Sequence, residues 1–298
     1  MRGQTPGLDV VGRGFHFAES PRWRAGTLYC SDLFGRQVFA IQPDGGVRAL
    51  CTVPNMPSGL GFSPDGALLI VSMKDSKVLR FDGNALSQAA DLSSVTPYQC
   101  NDMLVDERGR AYVGNFGWHP GESKMRPTSL SLVLPSGQCQ DLGGAVNFPN
   151  GICRSADGRT LIVAESFASR LSAFDIRADG TLANQRVWAS LSDRTFTTVS
   201  EALESGDPLP DGLALDAEGA VWVADSGGHA ALRVAAGGKI LEKIEVGDLA
   251  VFGLTLGGTD RRTLFLCIAP SVGKADLETE RESIIVSYRV RAPGVGLP

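Results

Sequence analysis

Four hard oxygen donors stand at matching places in this 298-residue chain: Glu19, Asn101, Asn150 and Asp211. An isolated polar residue at such a place would do no more than bind water. Two carboxylates and two side-chain amides collected together repel one another or stay poorly satisfied unless a cation sits among them. The two negative charges of Glu19 and Asp211 match one divalent ion. Ligation by oxygen alone favours Ca²⁺, Mg²⁺ or Mn²⁺, with Zn²⁺ or Fe²⁺ as the alternatives when carboxylates dominate. Calcium is the first expectation.

Residues this far apart meet only if the elements carrying them are brought into register. Each of the four opens a repeated phrase, in which an apolar run leads to a turn glycine and a second apolar run returns. Ser58 to Gly66, Asn101 to Gly109, Asn150 to Gly158 and Asp211 to Gly219 share one interval of 8 residues. Glu19 to Gly26 is a copy one residue shorter, and the phrase from Phe252 to Cys267 is a looser sixth. Successive openings lie 39, 43, 49, 61 and 41 residues apart, the size of one propeller blade with variable loops.

The apolar runs are four to six residues long, rich in Val, Ile, Leu and aromatics, and bounded by Asp/Gly turns, so they read as strands. No segment carries a sustained 3.6-residue period with caps. Six four-stranded antiparallel sheets arranged radially bury their faces on one another and leave short edges. The expected fold is therefore an all-β six-bladed propeller formed by residues 1–298 as a single domain, with a central metal site. Leu8 to Val11 precede the first inner strand and are expected to close the ring as the outer strand of the last blade.

Composition limits the partners. A net charge of −5 and the lack of a basic tract argue against nucleic acid and anionic membrane surfaces. No run of 18 apolar residues and no charged start followed by an apolar signal region occurs, so the expectation is a cytoplasmic protein, monomeric or weakly self-associating. The six cysteines are scattered without a CxxC pair and are expected to be reduced, with Cys100 near the site because it adjoins Asn101. A GxSxG elbow, an HExxH pair, a GxGxxG turn and a P-loop are all missing, which removes serine-nucleophile and nucleotide-dependent mechanisms.

At this point the chain resembles the SMP-30/gluconolactonase/LRE-like propellers. The matching phrases are Phe17 to Trp23, Asn101 Asp102 with Asp106 and Gly109, Pro149 to Ile152, and Pro210 to Asp216, in the family's order. The resemblance implies that Glu19, Asn150 and Asp211 are the protein ligands of the metal. It implies that Asn101 contacts metal or substrate, and that Asp211 is also the general base of ester hydrolysis. The ion then polarises a lactone carbonyl and acidifies water, while the carboxylate takes the proton.

Three positions depart from the family pattern. Gln99 stands where an arginine often binds substrate, Met103 where glycine follows the Asn-Asp pair, and Ser20 where glycine separates Glu from Pro. Loss of the guanidinium removes a bidentate partner for an acidic or polyhydroxy substrate. Gln99, Met103, Phe116, Trp118 and His119 are expected to contact substrate, with Phe167 and Phe196 adding to an apolar wall suited to a lactone or ester less polar than a sugar. Three long loops, 116–128, 190–210 and 270–283, are expected around the mouth as specificity loops or a lid. Asn115, Glu165 and Asp225 are expected to support the site from the ends of second strands. The function expected is lactone opening by a metal-dependent hydrolase; the alternatives are a non-catalytic ligand-binding propeller and an organophosphate or aryl esterase at the same ion.

Overall fold

Five of the repeat phrases fold into four antiparallel strands and the sixth into three completed by an N-terminal strand, and the resulting six sheets form the computed structural model, which describes residues 7–42, 45–119, 121, 124–271 and 276–296. The innermost strands are Ala18–Arg24, Pro57–Phe62, Cys100–Val105, Pro149–Arg154, Pro210–Leu215 and Ala250–Gly257. Each packs beside the inner strand of the next blade, and Ala250–Gly257 meets Ala18–Arg24 to complete the circle. The chain is a six-bladed β-propeller.

Ring closure follows the expected route. Asp9–Phe15 pairs antiparallel with Ser283–Arg289, setting Val10 against Val286 and Arg13 against Ile284, as the outer strand of the last blade. The N-terminal strand is thus bonded to the C-terminal sheet, so separating the ring there breaks a full strand pairing.

Wedge-shaped blades must taper toward the axis, and the glycine after four of the six opening residues, Gly59, Gly151, Gly212 and Gly253, permits it. A Cβ on Gly151 would lie 2.7 Å from the Gly212 Cα and 2.7 Å from the Leu213 nitrogen. One on Gly212 would lie 2.9 Å from the Gly253 Cα. Neighbouring inner backbones therefore approach more closely than any side chain allows. Between blades the flat sheet faces interdigitate, as where Leu213, Val221, Val223 and Leu232 of one blade meet Cys153, Ile162 and Ala164 of the previous one.

All six inner strands also carry a register shift at the same phase, between Glu19 and Arg22, Pro57 and Leu60, Cys100 and Met103, Pro149 and Ile152, Pro210 and Leu213, and Val251 and Gly253. Such irregularities re-aim side chains locally. Here they occur where the opening residues reach the axial channel. All six cysteines are free thiols, and Cys100 is buried in the apolar cluster with Met73 and Val113 rather than at the cavity. Among the described residues no helix is long and apolar enough to cross a membrane.

Candidate active site

The four opening residues converge on one end of the axial channel. Glu19, Asn101, Asn150 and Asp211 all line a cavity of about 530 Å³, and each is 5–6% exposed. Asn101 Nδ2 donates to Asn150 Oδ1 at 2.9 Å, and Asn101 Oδ1 accepts from Ser58 Oγ at 3.3 Å. Asn150 Nδ2 in turn donates to Ser166 Oγ at 3.3 Å, and that hydroxyl donates to the Pro210 carbonyl at 2.7 Å. This chain of bonds crosses four blades and fixes both amide planes.

The carboxylates are not neutralised to the same degree. Burial pushes the Glu19 carboxyl up to about 8, aided by the Asp102 charge and opposed by the Ser20 hydroxyl and Arg22. Asp211 is also raised well above the usual carboxylate range, first by burial and then by the charges of Glu19 and Asp102. Asp102 lies in the same cluster: its Oδ1 accepts from Arg22 Nη2 at 3.0 Å and from the Met103 amide at 2.8 Å. Arg22 also donates to the Met103 carbonyl at 2.6 Å and the Pro21 carbonyl at 3.0 Å; its guanidinium pairs with Asp102 and lowers Glu19, whereas Asp211 feels the charges of Glu19 and Asp102.

That balance fits a divalent cation. Ionising Glu19, Asp102 and Asp211 together leaves two negative charges beyond what Arg22 neutralises, in a site too buried for water to screen them. Among the described residues no three His, Cys, Asp or Glu side chains form a metal-holding group by themselves. A cation here would therefore draw on the amide oxygens as well as on Glu19 and Asp211.

The cavity wall comes from more blades than sequence reading reached. Phe116 and Trp118 line it as expected and stack at 5.4 Å between centroids, and Phe167 lines it stacked on Phe148 at 5.0 Å. Phe148, Phe17, Phe34 and Phe252 also line the cavity, four wall positions not expected from the sequence. A signal was available, since Phe17 and Phe148 lie two residues before Glu19 and Asn150, and Phe252 is itself the sixth opening residue.

Three residues expected at the substrate lie elsewhere. Met103 is fully buried in the core, because the register shift after Cys100 turns it onto the Gly59 backbone of the neighbouring inner strand. Gln99 precedes the strand, its carbonyl accepting from the Phe116 amide at 3.0 Å, and does not line the cavity. His119 is exposed, with its ring 5.3 Å from that of Tyr98 outside the lining. Phe196 packs behind the wall with Phe167, Ala202 and Leu209.

The loops at the mouth are held by the last residues of second strands. Asp32 accepts from the Phe17 amide at 2.8 Å, Glu165 from the Asn147 amide at 2.8 Å, and Asp225 from the Leu209 amide at 2.9 Å. Asn115 accepts from the Gly117 amide at 3.1 Å. Each carboxylate thus anchors the segment that leads into an inner-strand residue on the cavity wall, Glu19, Asn150 or Asp211. Loop 190–210 contains the helix Val199–Glu204, whose Val199 and Leu203 reach the cavity rim. Residues 120, 122–123 and 272–275 of the other two loops fall outside the described residues.

Comparison with known proteins matches this architecture. The family model described as the SMP-30/Gluconolactonase/LRE-like region matches residues 17–269. Regucalcin of Xenopus laevis is 23% identical over 96% of this chain and 94% of its own length. The 6-deoxy-6-sulfogluconolactonase of Pseudomonas putida is 22% identical over 97% of this chain and 96% of its own. A solved structure described as a calcium-binding protein, regucalcin, from Agrobacterium tumefaciens superposes with a TM-score of 0.78 at 22% identity, covering 97% of this chain and 95% of that one.

Proposed function

The chain belongs to the SMP-30/gluconolactonase/LRE-like family, and from that premise and the charge balance at its axial cavity we propose a divalent-metal-dependent hydrolase that opens a lactone. The observation that carries this reading is the burial of three mutually repelling carboxylates, Glu19, Asp102 and Asp211, of which Arg22 pairs with Asp102 alone. Glu19, Asn150 and Asp211 would hold the cation, with Asn101 orienting Asn150 or touching substrate. Calcium is the preferred ion for an all-oxygen donor set, and Zn, Mn, Mg or Fe are the alternatives. The name of the Pseudomonas putida relative supports the reaction class, and the description of the Agrobacterium structure supports the ion.

A bound divalent cation supplies a polarised lactone carbonyl and a more acidic water. Asp211 accepts the proton of the water that attacks the carbonyl carbon. Its proton then passes to the ring oxygen as the acyl C–O bond breaks, so the product is a hydroxy acid and no other reactant is consumed. Asp211 sits on the rigid inner strand Pro210–Leu215, with the Gly212 backbone amide favouring its charged form. Phe116 and Trp118 keep bulk water from the reacting centre. The partner is a small lactone or ester, the net charge of −5 disfavours nucleic acid and anionic membranes, and the enzyme acts as a single cytoplasmic domain.

Proton release on a panel of γ- and δ-lactones, with and without EDTA, tests it. The expected result is turnover lost in EDTA and restored by a divalent ion, with Asp211→Asn reducing kcat by about 10²–10⁴-fold. Full rate and undiminished metal content in Asp211→Asn would move the base elsewhere. Bound metal with no turnover of any lactone or ester would favour a non-catalytic binding propeller.

A further inference from the structure

The cavity above the carboxylates is chemically one-sided. Besides Glu19, Asp211, Asn101 and Asn150, the polar side chains on its wall are Ser166 and Ser226, and each hydroxyl already donates to a backbone carbonyl, Pro210 at 2.7 Å and Leu209 at 3.0 Å. No Lys or Arg lines it among the described residues. Apart from the indole N–H of Trp118, every other side chain on it is apolar. Phe148 and Phe167 stack with 16° between their planes, Trp118 stands edge-on to Phe148 at 5.1 Å, and across the cavity Phe17 tilts against Phe252 at 4.5 Å.

The apolar lining continues outward. Val199 and Leu203 on the rim helix are 38% and 37% exposed, large hydrophobic side chains turned toward solvent at the mouth. A volume of about 530 Å³ exceeds what a bare five- or six-membered lactone fills. The surplus lies between aromatic faces and leads to the rim.

We propose that the substrate is a lactone bearing an apolar alkyl or aryl substituent, seated between the Phe148–Phe167 and Phe17–Phe252 ring pairs and extending to Val199 and Leu203. The inference rests on the lactone-hydrolase reading for the reaction and on the wall for the substituent. Its physical basis is a contrast in desolvation. Each methylene buried on such a wall strengthens binding about fourfold. Each substrate hydroxyl stripped of water without a partner weakens it roughly 5- to 150-fold, and among the described residues the only donors the wall can offer one are the Trp118 indole N–H and the second amide hydrogens of Asn101 and Asn150. A polyhydroxy or anionic lactone would lose on both counts, having neither a guanidinium nor a spare hydroxyl to meet it.

The test uses the full-length protein with added Ca²⁺, Mn²⁺ or Zn²⁺. Proton release is measured on δ-valerolactone, δ-octalactone, δ-decalactone, 3,4-dihydrocoumarin and glucono-δ-lactone. The expected kcat/KM rises about fourfold per methylene over the first additions, and dihydrocoumarin exceeds glucono-δ-lactone by at least 100-fold. Leu203→Asp, at an exposed rim position, should cut the δ-decalactone to δ-valerolactone preference at least fivefold. Equal or faster opening of glucono-δ-lactone, or a flat chain-length series, would overturn the proposal. Calorimetric binding of the hydrolysis-resistant lactams of dihydrocoumarin and gluconolactone separates the two readings. Tighter binding of the dihydrocoumarin lactam with no turnover of any lactone would sink the hydrolase and support the apolar wall. Tighter binding of the sugar lactam, or binding of neither, would sink the substrate class.

Discussion

Ser20 offers a direct test of how the site is held, because its side chain and its backbone act in opposite senses. The residue is 2% exposed and has φ of 48°, the left-handed region where a non-glycine residue costs about 1–2 kcal/mol. Its Oγ lies 3.0 Å from Glu19 Oε2 and 3.2 Å from Asp102 Oδ1. Asp102 Oδ1 already accepts from Arg22 and from the Met103 amide, so the single hydroxyl proton is best used on Glu19. Ser20→Ala removes the hydroxyl and keeps the strain, which should cost about 1–2 kcal/mol. Ser20→Gly removes both. The strain relief, less about 0.4–1 kcal/mol for the freer unfolded chain, should return roughly 0.5–1 kcal/mol relative to alanine. For a chain of this length 1 kcal/mol is about 1.5 °C in Tm, a shift that scanning calorimetry in EDTA resolves. Divalent-cation affinity, measured by titration, should fall about 10- to 100-fold in both variants, since each loses the group that orients Glu19. Recovery of cation affinity together with stability in Ser20→Gly would refute the reasoning, as would an Ser20→Ala protein unchanged in both.

Other substitutions and conditions probe the same architecture. Arg22→Met leaves Asp102 as a buried, unpaired charge and should cost about 3–5 kcal/mol in chemical denaturation, while Arg22→Met with Asp102→Asn should regain at least half of it; additive losses would mean the pair is not coupled. Gly151→Ala forces a Cβ to within 2.7 Å of the Gly212 Cα, and because both partners are backbone the expected cost is about 1–3 kcal/mol together with weaker cation binding. An unchanged Tm would contradict the close approach. In EDTA the folded protein holds protons on Glu19 and Asp211 that the unfolded chain has released, so stability should fall as pH rises from about 4.5 to about 8 through the Glu19 range, with Asp211 acting in the same sense. Saturating divalent cation should flatten that slope. The surface carboxylates of Asp65 and Asp260, held below their usual range by Arg80 and Arg289, act in the opposite sense and only at acidic pH, below this window. A metal-free melting temperature that rises from pH 5 to pH 8 would reverse the sign and refute the assignment.

Much of this molecule is legible from residue spacing because a propeller repeats one local rule. Alternating apolar runs, turn glycines at a fixed offset and the segment Leu8 to Val11 left over at the start give six blades and their closure without any knowledge of distant contacts, although the strand itself runs from Asp9 to Phe15. The equal phase of Glu19, Asn101, Asn150 and Asp211 likewise brings them to one end of the axis, since equivalent positions in a radial array must face each other. Identity and phase suffice there. What the sequence leaves undetermined is anything that depends on which side chain of one blade touches which of another. The register shift sends Met103 into the core and lets Asp102 meet Arg22 and Ser20, an arrangement set by backbone geometry across the contact between two blades. The aromatic wall is assembled from Phe17, Phe34, Phe116, Phe148, Phe167 and Phe252, spread over most of the chain, and its apolar character is a property of their convergence. Composition and spacing thus determined a ring with oxygen donors at its centre. Only the tertiary structure decided how those donors are balanced and what kind of surface surrounds them, because charge compensation and desolvation act through space rather than along the chain.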